Sequence, residues 1–168
     1  MANSTFTGPI RSESTIKTIS KDATSGTITE VTTLGGAPVS LSDGNVTLTN
    51  ATHSGRVLLV PDGGQDNTYT LPAPIAGSMF RFVYAGGAAD ATDAIIITPG
   101  NTNFYIGGIT HLDTNADNVT VFSNGSSNSS VQLNVPQAFD ITIVGKDTTN
   151  YQIFGTVTST TVPAFADQ

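Results

Sequence analysis

The chain has no cysteine and only two histidines among its 168 residues. Without cysteine there is no disulfide framework, no thiol nucleophile and no thiolate metal site. Two histidines, His53 and His111, are too few for a multi-histidine metal centre. Charge is also scarce: 11% of residues are charged, against about 25% in ordinary soluble domains. Basic residues are rarest, 6 against 13 acidic, for a net charge of −7. A body of that sign repels the phosphate backbone, so nucleic acid is not an expected partner. No apolar run approaches the ~20 residues of a membrane-spanning helix, and no charged-then-apolar leader opens the sequence. Membrane is therefore not expected either, and a protein made in a host cytoplasm is. No window carries a helical period, and no helix follows Gly63-Gly64 or Gly107-Gly108 to make either a phosphate loop.

What the chain does have is Ser, Thr, Asn and Gly, punctuating short apolar runs. The stretch from Arg56 to Gly86 organises it. Arg56–Val60 is nearly unbroken apolar, as in a strand buried on both faces. Pro61-Asp62-Gly63-Gly64 supplies a reversal. Thr68-Tyr69-Thr70-Leu71 alternates, and Pro72 ends that strand because it cannot donate to a ladder. Past Ala76-Gly77, the residues Phe80, Phe82 and Tyr84 share one face of a strand while Met79, Arg81 and Val83 share the other.

Further alternating runs surround Ile95–Ile97, Phe104–Ile109, Val119–Phe122, Val131–Val135, Phe139–Ile143 and Tyr151–Val157, with Gly107-Gly108 predicting a bulge or corner. About eight strands between 46 and 157, spaced by roughly 8–12 residues, predict an all-β, antiparallel, jelly-roll-like β-sandwich. The predicted organisation is an arm and hairpin over 1–36, a sandwich body over 37–158 and a flexible polar tail over 159–168. In the first 30 residues Arg11, Lys17 and Lys21 balance Glu13, Asp22 and Glu30, so the whole net charge of −7 belongs to residues 31–168. Because an isolated hairpin is marginally stable, the neutral front end reads as a separate contact element that docks on its own body or on a neighbour.

Three constellations invite a chemical reading. His111-Leu112-Asp113 has the order of a base and its orienter, but no nucleophile elbow accompanies it. The pattern predicts a solvated histidine at a strand end. Asp113-Thr114-Asn115-Ala116-Asp117-Asn118 opens like a calcium loop, yet Asn118 stands where glycine is needed and Asn124 where the closing acid is needed. An Asx-stabilised turn is the plainer reading. Asp90 with Asp93 is a second, weaker acidic pair. The Asn-x-Ser/Thr triplets reflect composition. No cofactor, metal or catalytic role is expected.

The organising stretch also carries a resemblance. Tyr69-Thr70-Leu71-Pro72-Ala73-Pro74, then Gly77, Phe80, Phe82 and Ile95-Ile96-Ile97, resembles a pattern in small β-sandwich structural proteins of tailed bacteriophages. The opening Met1–Phe6, with Gly8-Pro9 and Arg11-Ser12-Glu13, resembles the start of virion proteins from marine and cyanobacterial phages. In size and layout the chain is most similar to their capsid decoration (cement) proteins. That resemblance implies a non-enzymatic protein on the outer surface of the virion capsid, bound to the major capsid protein and associated with copies of itself as a homotrimer. The arm residues Phe6, Pro9, Ile10, Arg11, Ile16, Lys17, Ile19 and Lys21 are the expected contacts. The alternative is a head-fibre, tail or receptor-binding module with carbohydrate affinity, whose sugar-facing aromatics would be Tyr84, Tyr105 and Tyr151.

Overall fold

A β-branched and aromatic residue at every second position makes a strand with one buried face, and this pattern builds most of the molecule. In Ala138–Gly145 the buried side chains are Phe139, Ile141 and Ile143, with Asp140 and Thr142 between them. In Asn150–Ser159 they are Tyr151, Ile153, Val157 and Ser159. The computed structural model describes residues 18–31, 37–87, 89–113, 115 and 118–168. The chain divides into two compact units, Met1–Gly36 and Ala37–Gln168.

In the first unit, β1 (Thr18–Lys21) and β2 (Ile28–Val31) form an antiparallel hairpin with Thr18 opposite Val31. Its loop is closed by the Asp22 carboxylate, which accepts from the backbone N–H groups of Thr24 (2.9 Å) and Ser25 (2.6 Å), while Gly26 takes the positive φ of 70°.

The second unit is a two-sheet sandwich. Its first half is a coil. β3 (Val39–Ser40), β5 (Arg56–Val60) and β7 (Met79–Tyr84) lie side by side and parallel in one sheet. β4 (Val46–Thr47), β6 (Asn67–Thr70) and β8 (Ala94–Ile97) do the same in the other. The chain therefore crosses between sheets at each step, making three rungs. A four-residue helix, α1 (Asn50–His53), capped by Thr49, fills one crossing. The rung lengths are unequal, with Val39 beside Leu58 but Asn67 beside Ala94, so no fixed repeat marks the coil in the sequence.

The second half wraps this coil. β9 (Phe104–Asp113), β10 (Val119–Phe122), β12 (Ala138–Gly145) and β13 (Asn150–Ser159) complete a seven-stranded sheet in the order β10-β9-β13-β12-β7-β5-β3. β11 (Ser130–Leu133) and β14 (Ala164–Ala166) complete a five-stranded sheet in the order β14-β11-β8-β6-β4. The sheets meet across one core. Tyr69 packs on Phe82 with ring centres 6.1 Å apart, and Tyr105 packs on Phe165 at 6.2 Å.

The all-β sandwich expected from the alternation is the observed architecture. Three details differ from expectation. Five of the strand pairings are parallel, so the sheets are mixed rather than antiparallel. Side-chain alternation has the same period in both ladder types, and cannot tell them apart. Gly107-Gly108 does not interrupt a strand: β9 runs through it for ten residues, with Gly107 at φ 106°. The stretch 159–168 is no loose tail. β14 pairs with β11, and the Gln168 side chain donates to the Thr98 (2.8 Å) and Ser129 (3.0 Å) carbonyls.

Candidate functional site

Of the expected arm contacts, Phe6, Pro9, Ile10, Arg11, Ile16 and Lys17 lie outside the described residues. Ile19 and Lys21 lie on β1, opposite Glu30 and Ile28.

The candidates for chemistry are placed differently from expectation. His111 is fully buried on β9, not solvated at a strand end. It faces the core because it keeps the parity of Tyr105 and Ile109 along β9. Its Nε2 lies 3.0 Å from Ser159 Oγ and 3.1 Å from the Ser159 carbonyl oxygen, and Nδ1 has no partner among the described residues. In the 113–118 loop, the Asp113 carboxylate accepts from the Asn115 N–H at 2.7 Å, and Asn118 Oδ1 accepts from the Asp113 N–H at 3.0 Å. The first is an Asx-turn bond, and the second closes the loop from its far end. Among the described residues no cluster of three or more His, Asp or Glu side chains is arranged to hold a cation, and no helix is long and apolar enough to cross a membrane. Tyr105 and Tyr151 are fully buried and Tyr84 is half-buried, so they are not an exposed sugar-facing trio.

Two surfaces of the body do gather polar or exposed side chains. One is the corner where the coil passes from the larger sheet to the smaller, at 41–45, 61–66 and 85–93. Here Asp and Asn side chains bond one rung to the next. Asn45 Oδ1 accepts from the Thr68 N–H at 2.9 Å, and Asp66 Oδ1 from the Asp93 N–H at 2.9 Å. Asn67, 2% exposed, accepts from the Gly44 N–H at 2.7 Å and donates to Asp43 at 3.0 Å. Asp90 is likewise buried, and accepts from the Gly63 N–H and the Thr92 hydroxyl. Asp93 binds the Val135 N–H at 2.9 Å, holding that residue at φ 40°, a conformation β-branched side chains resist. These carboxylates are engaged by protein donors. The corner fastens the loops, much as a cap fastens a helix end.

The other surface is the outer face of the seven-stranded sheet. Arg81 on β7 and Asp140 on β12 form a two-pronged pair there, Nε to Oδ1 at 2.9 Å and Nη2 to Oδ2 at 2.5 Å. Each partner favours the other's charged form, so Asp140 is held below the usual carboxylate range and Arg81 above its ordinary value. Both are about half exposed, so the pair positions more than it stabilises. Beside it lies an open depression of about 450 Å³, bordered by Met79, Thr142, Phe154 and Thr156. Phe154 is 50% exposed, and two strands away Phe122 is 69% exposed. Between them Gly108 is so close to Phe122 that a Cβ would sit 2.8 Å from its ring. The sequence held the signal for Phe154, which falls out of step with Tyr151, Ile153 and Val157. Phe122 ends a short alternating run whose exposed side only its edge position decides.

No protein-family model matches this sequence, and no curated protein matches it significantly.

Proposed function

We propose that this chain is a capsid decoration protein of a tailed bacteriophage, bound to the outside of the assembled capsid and stabilising it by cross-linking capsid subunits. The observation that carries the reading is the Tyr69–Pro74 pattern with Gly77, Phe80 and Phe82, in a chain whose net charge belongs entirely to the sandwich and whose front end is neutral. The division into a small N-terminal unit and a sandwich body supports it. So does the construction of the body, whose corner acids are engaged in fastening loops.

In this reading the body is a stiff block, associated with two further copies as a homotrimer. Phe6, Pro9, Ile10, Arg11, Ile16, Lys17, Ile19 and Lys21 lie against the major capsid protein or complete a neighbour's sheet by strand addition. Ordering such an arm costs about 1–2 kcal/mol per residue in backbone entropy. The arm therefore binds well only where assembled subunits offer a continuous surface. Arg11, Lys17 and Lys21 contribute little as exposed ion pairs, each worth about 0–1 kcal/mol. Apolar and main-chain contacts dominate.

The test is co-sedimentation of the full chain with expanded, undecorated capsids, beside a variant carrying Ile10→Asp, Ile16→Asp and Ile19→Asp. The expected result is saturable binding by the unaltered chain and loss of binding by the variant. No capsid binding by the unaltered chain overturns the function, and equal binding by the variant overturns the role of the arm.

A further inference from the structure

The outer face of the seven-stranded sheet is apolar and threonine-rich along its rows, and its outward positions hold only two charged residues among those described, Arg81 and Asp140. Those two neutralise each other. One row of the ladder crosses five of its strands. Arg81 pairs with Thr142, Thr142 with Phe154, and Phe154 follows Ile153, the partner of Gly107. Gly108, next along β9, pairs with Phe122. Phe154 and Phe122 thus stand two strand spacings apart, about 10 Å, on either side of a residue without a side chain. Two exposed phenyl rings on one sheet face without net charge mark it as a candidate contact surface.

We propose that this face binds a neutral oligosaccharide, laid along the row from Phe122 across Gly108 and Phe154 to the Arg81–Asp140 pair. The apolar C–H faces of two pyranose rings, one intervening sugar residue apart, pack on the two phenyl rings, whose separation matches a step of two sugar residues along an extended chain. The pair supplies fixed donors and acceptors to vicinal hydroxyls, because the two-pronged contact locks both planar groups in one orientation. The Thr142 and Thr156 hydroxyls add adaptable ones at the border of the depression.

Electrostatics select the ligand class. Every acid in excess of base lies in the body, so an anionic glycan meets repulsion, while the neutral pair offers no net charge to select a cation. A neutral polyhydroxyl ligand escapes both penalties. Binding on one open face is weak for a single copy, and display of many copies on one particle raises it by avidity. The site itself does not depend on the capsid reading.

The test is affinity electrophoresis of the full chain in native gels containing hydroxyethyl cellulose, galactomannan or dextran, with dextran sulfate as the charged comparison. The expected result is retardation in at least one neutral gel, an association constant at least tenfold lower for Phe154→Ala, and a smaller loss for Phe122→Ala. Both side chains are exposed, so the variants keep the thermal midpoint of the unaltered protein. Three outcomes overturn the proposal: no retardation in any neutral gel, retardation only by dextran sulfate, or unchanged retardation of Phe154→Ala.

Discussion

The hydroxyl of Tyr151 donates to the carbonyl oxygen of Pro72 at 2.8 Å. It joins β13 to the corner that follows β6, so a residue of the proline-bearing motif is fastened by a strand 79 positions away. Tyr105 makes the corresponding bond on the adjacent strand, to the Ile96 carbonyl at 3.1 Å across the core. Removing a hydroxyl while leaving its acceptor costs about 1–3 kcal/mol where the acceptor is buried. Tyr151→Phe is expected to lower stability by about 1 kcal/mol and Tyr105→Phe, at the fully enclosed site, by about 2 kcal/mol. At this chain length each kcal/mol moves the thermal midpoint by about 2–4 °C, and differential scanning calorimetry reads the order. Equal midpoints for both variants and the unaltered chain would remove these bonds from the account.

Gly155 lies on β13 at φ 149°, and an added Cβ would collide with the backbone of Asp140 and Ile141 on β12. Backbone cannot yield as a flexible side chain can. Gly155→Ala is expected to destabilise by more than about 3 kcal/mol and to express as insoluble or partly unfolded protein. Gly77, at φ 85° with open space around its missing Cβ, is the control. Gly77→Ala carries only the left-handed backbone penalty of about 1 kcal/mol. Chemical denaturation of the two variants side by side separates collision from conformational preference.

Asn67 is the central fastener of the corner. Asn67→Asp replaces its donor with a carboxylate facing Asp43, at a position where the present bond is 3.0 Å. A loss of more than about 2 kcal/mol is expected at pH 7, from a lost bond and a like-charge contact. The like-charge part disappears when either carboxylate takes a proton. The stability gap to the unaltered chain therefore narrows as pH falls toward about 4, whereas Asn67→Ala shows no such recovery. Urea midpoints at pH 7 and pH 4.5 test the contrast.

All four tyrosines of the chain are held above the ordinary phenol range. Burial pushes Tyr69 up to about 12, with Asp43 and Asp90 adding to it. Burial, then Asp62 and Asp90, pushes Tyr84 up to about 12. Burial raises Tyr105 and Tyr151 further. A group whose folded pKa exceeds its unfolded value stabilises the fold below the unfolded value, about 10 for tyrosine, and that contribution is lost as pH rises through the folded one. Phenolate absorbance at 295 nm is thus expected to stay low at pH 10.5 in native protein and to be largely developed in protein unfolded in guanidinium. Alkaline unfolding should begin between about pH 10 and 12. Titration of more than one tyrosine near pH 10 in the native state would contradict the burial of Tyr69, Tyr105 and Tyr151.

Much of the architecture was legible before any coordinates. Alternation placed Phe80, Phe82, Ile141, Ile143, Tyr151 and Ile153 in the core, where all are fully buried. The N-terminal hairpin was readable from turn chemistry that acts within a few residues. What alternation could not give was the partner of each strand. β5 and β6 are neighbours in sequence and separated only by Pro61–Asp66, a hairpin by local signals, yet they lie in different sheets. Their corner is held instead by bonds such as Gly64 N–H to Asp43, formed between residues 21 apart.

By itself, then, the sequence determined which residues form strands and which face of each strand is apolar, because those properties depend on neighbours one or two positions away. It also determined the absence of thiol chemistry and the acidity of the body. Only the tertiary structure decided that the first six strands of the body coil in parallel rungs. It alone decided that His111 lies enclosed beside Ser159, that Gln168 is bound to Thr98 and Ser129, and that Phe122 and Phe154 share an open face with Arg81 and Asp140. Each of these depends on contacts between residues distant in the chain. A two-residue period fixes the direction in which a side chain points, and says nothing about which strand will lie beside it.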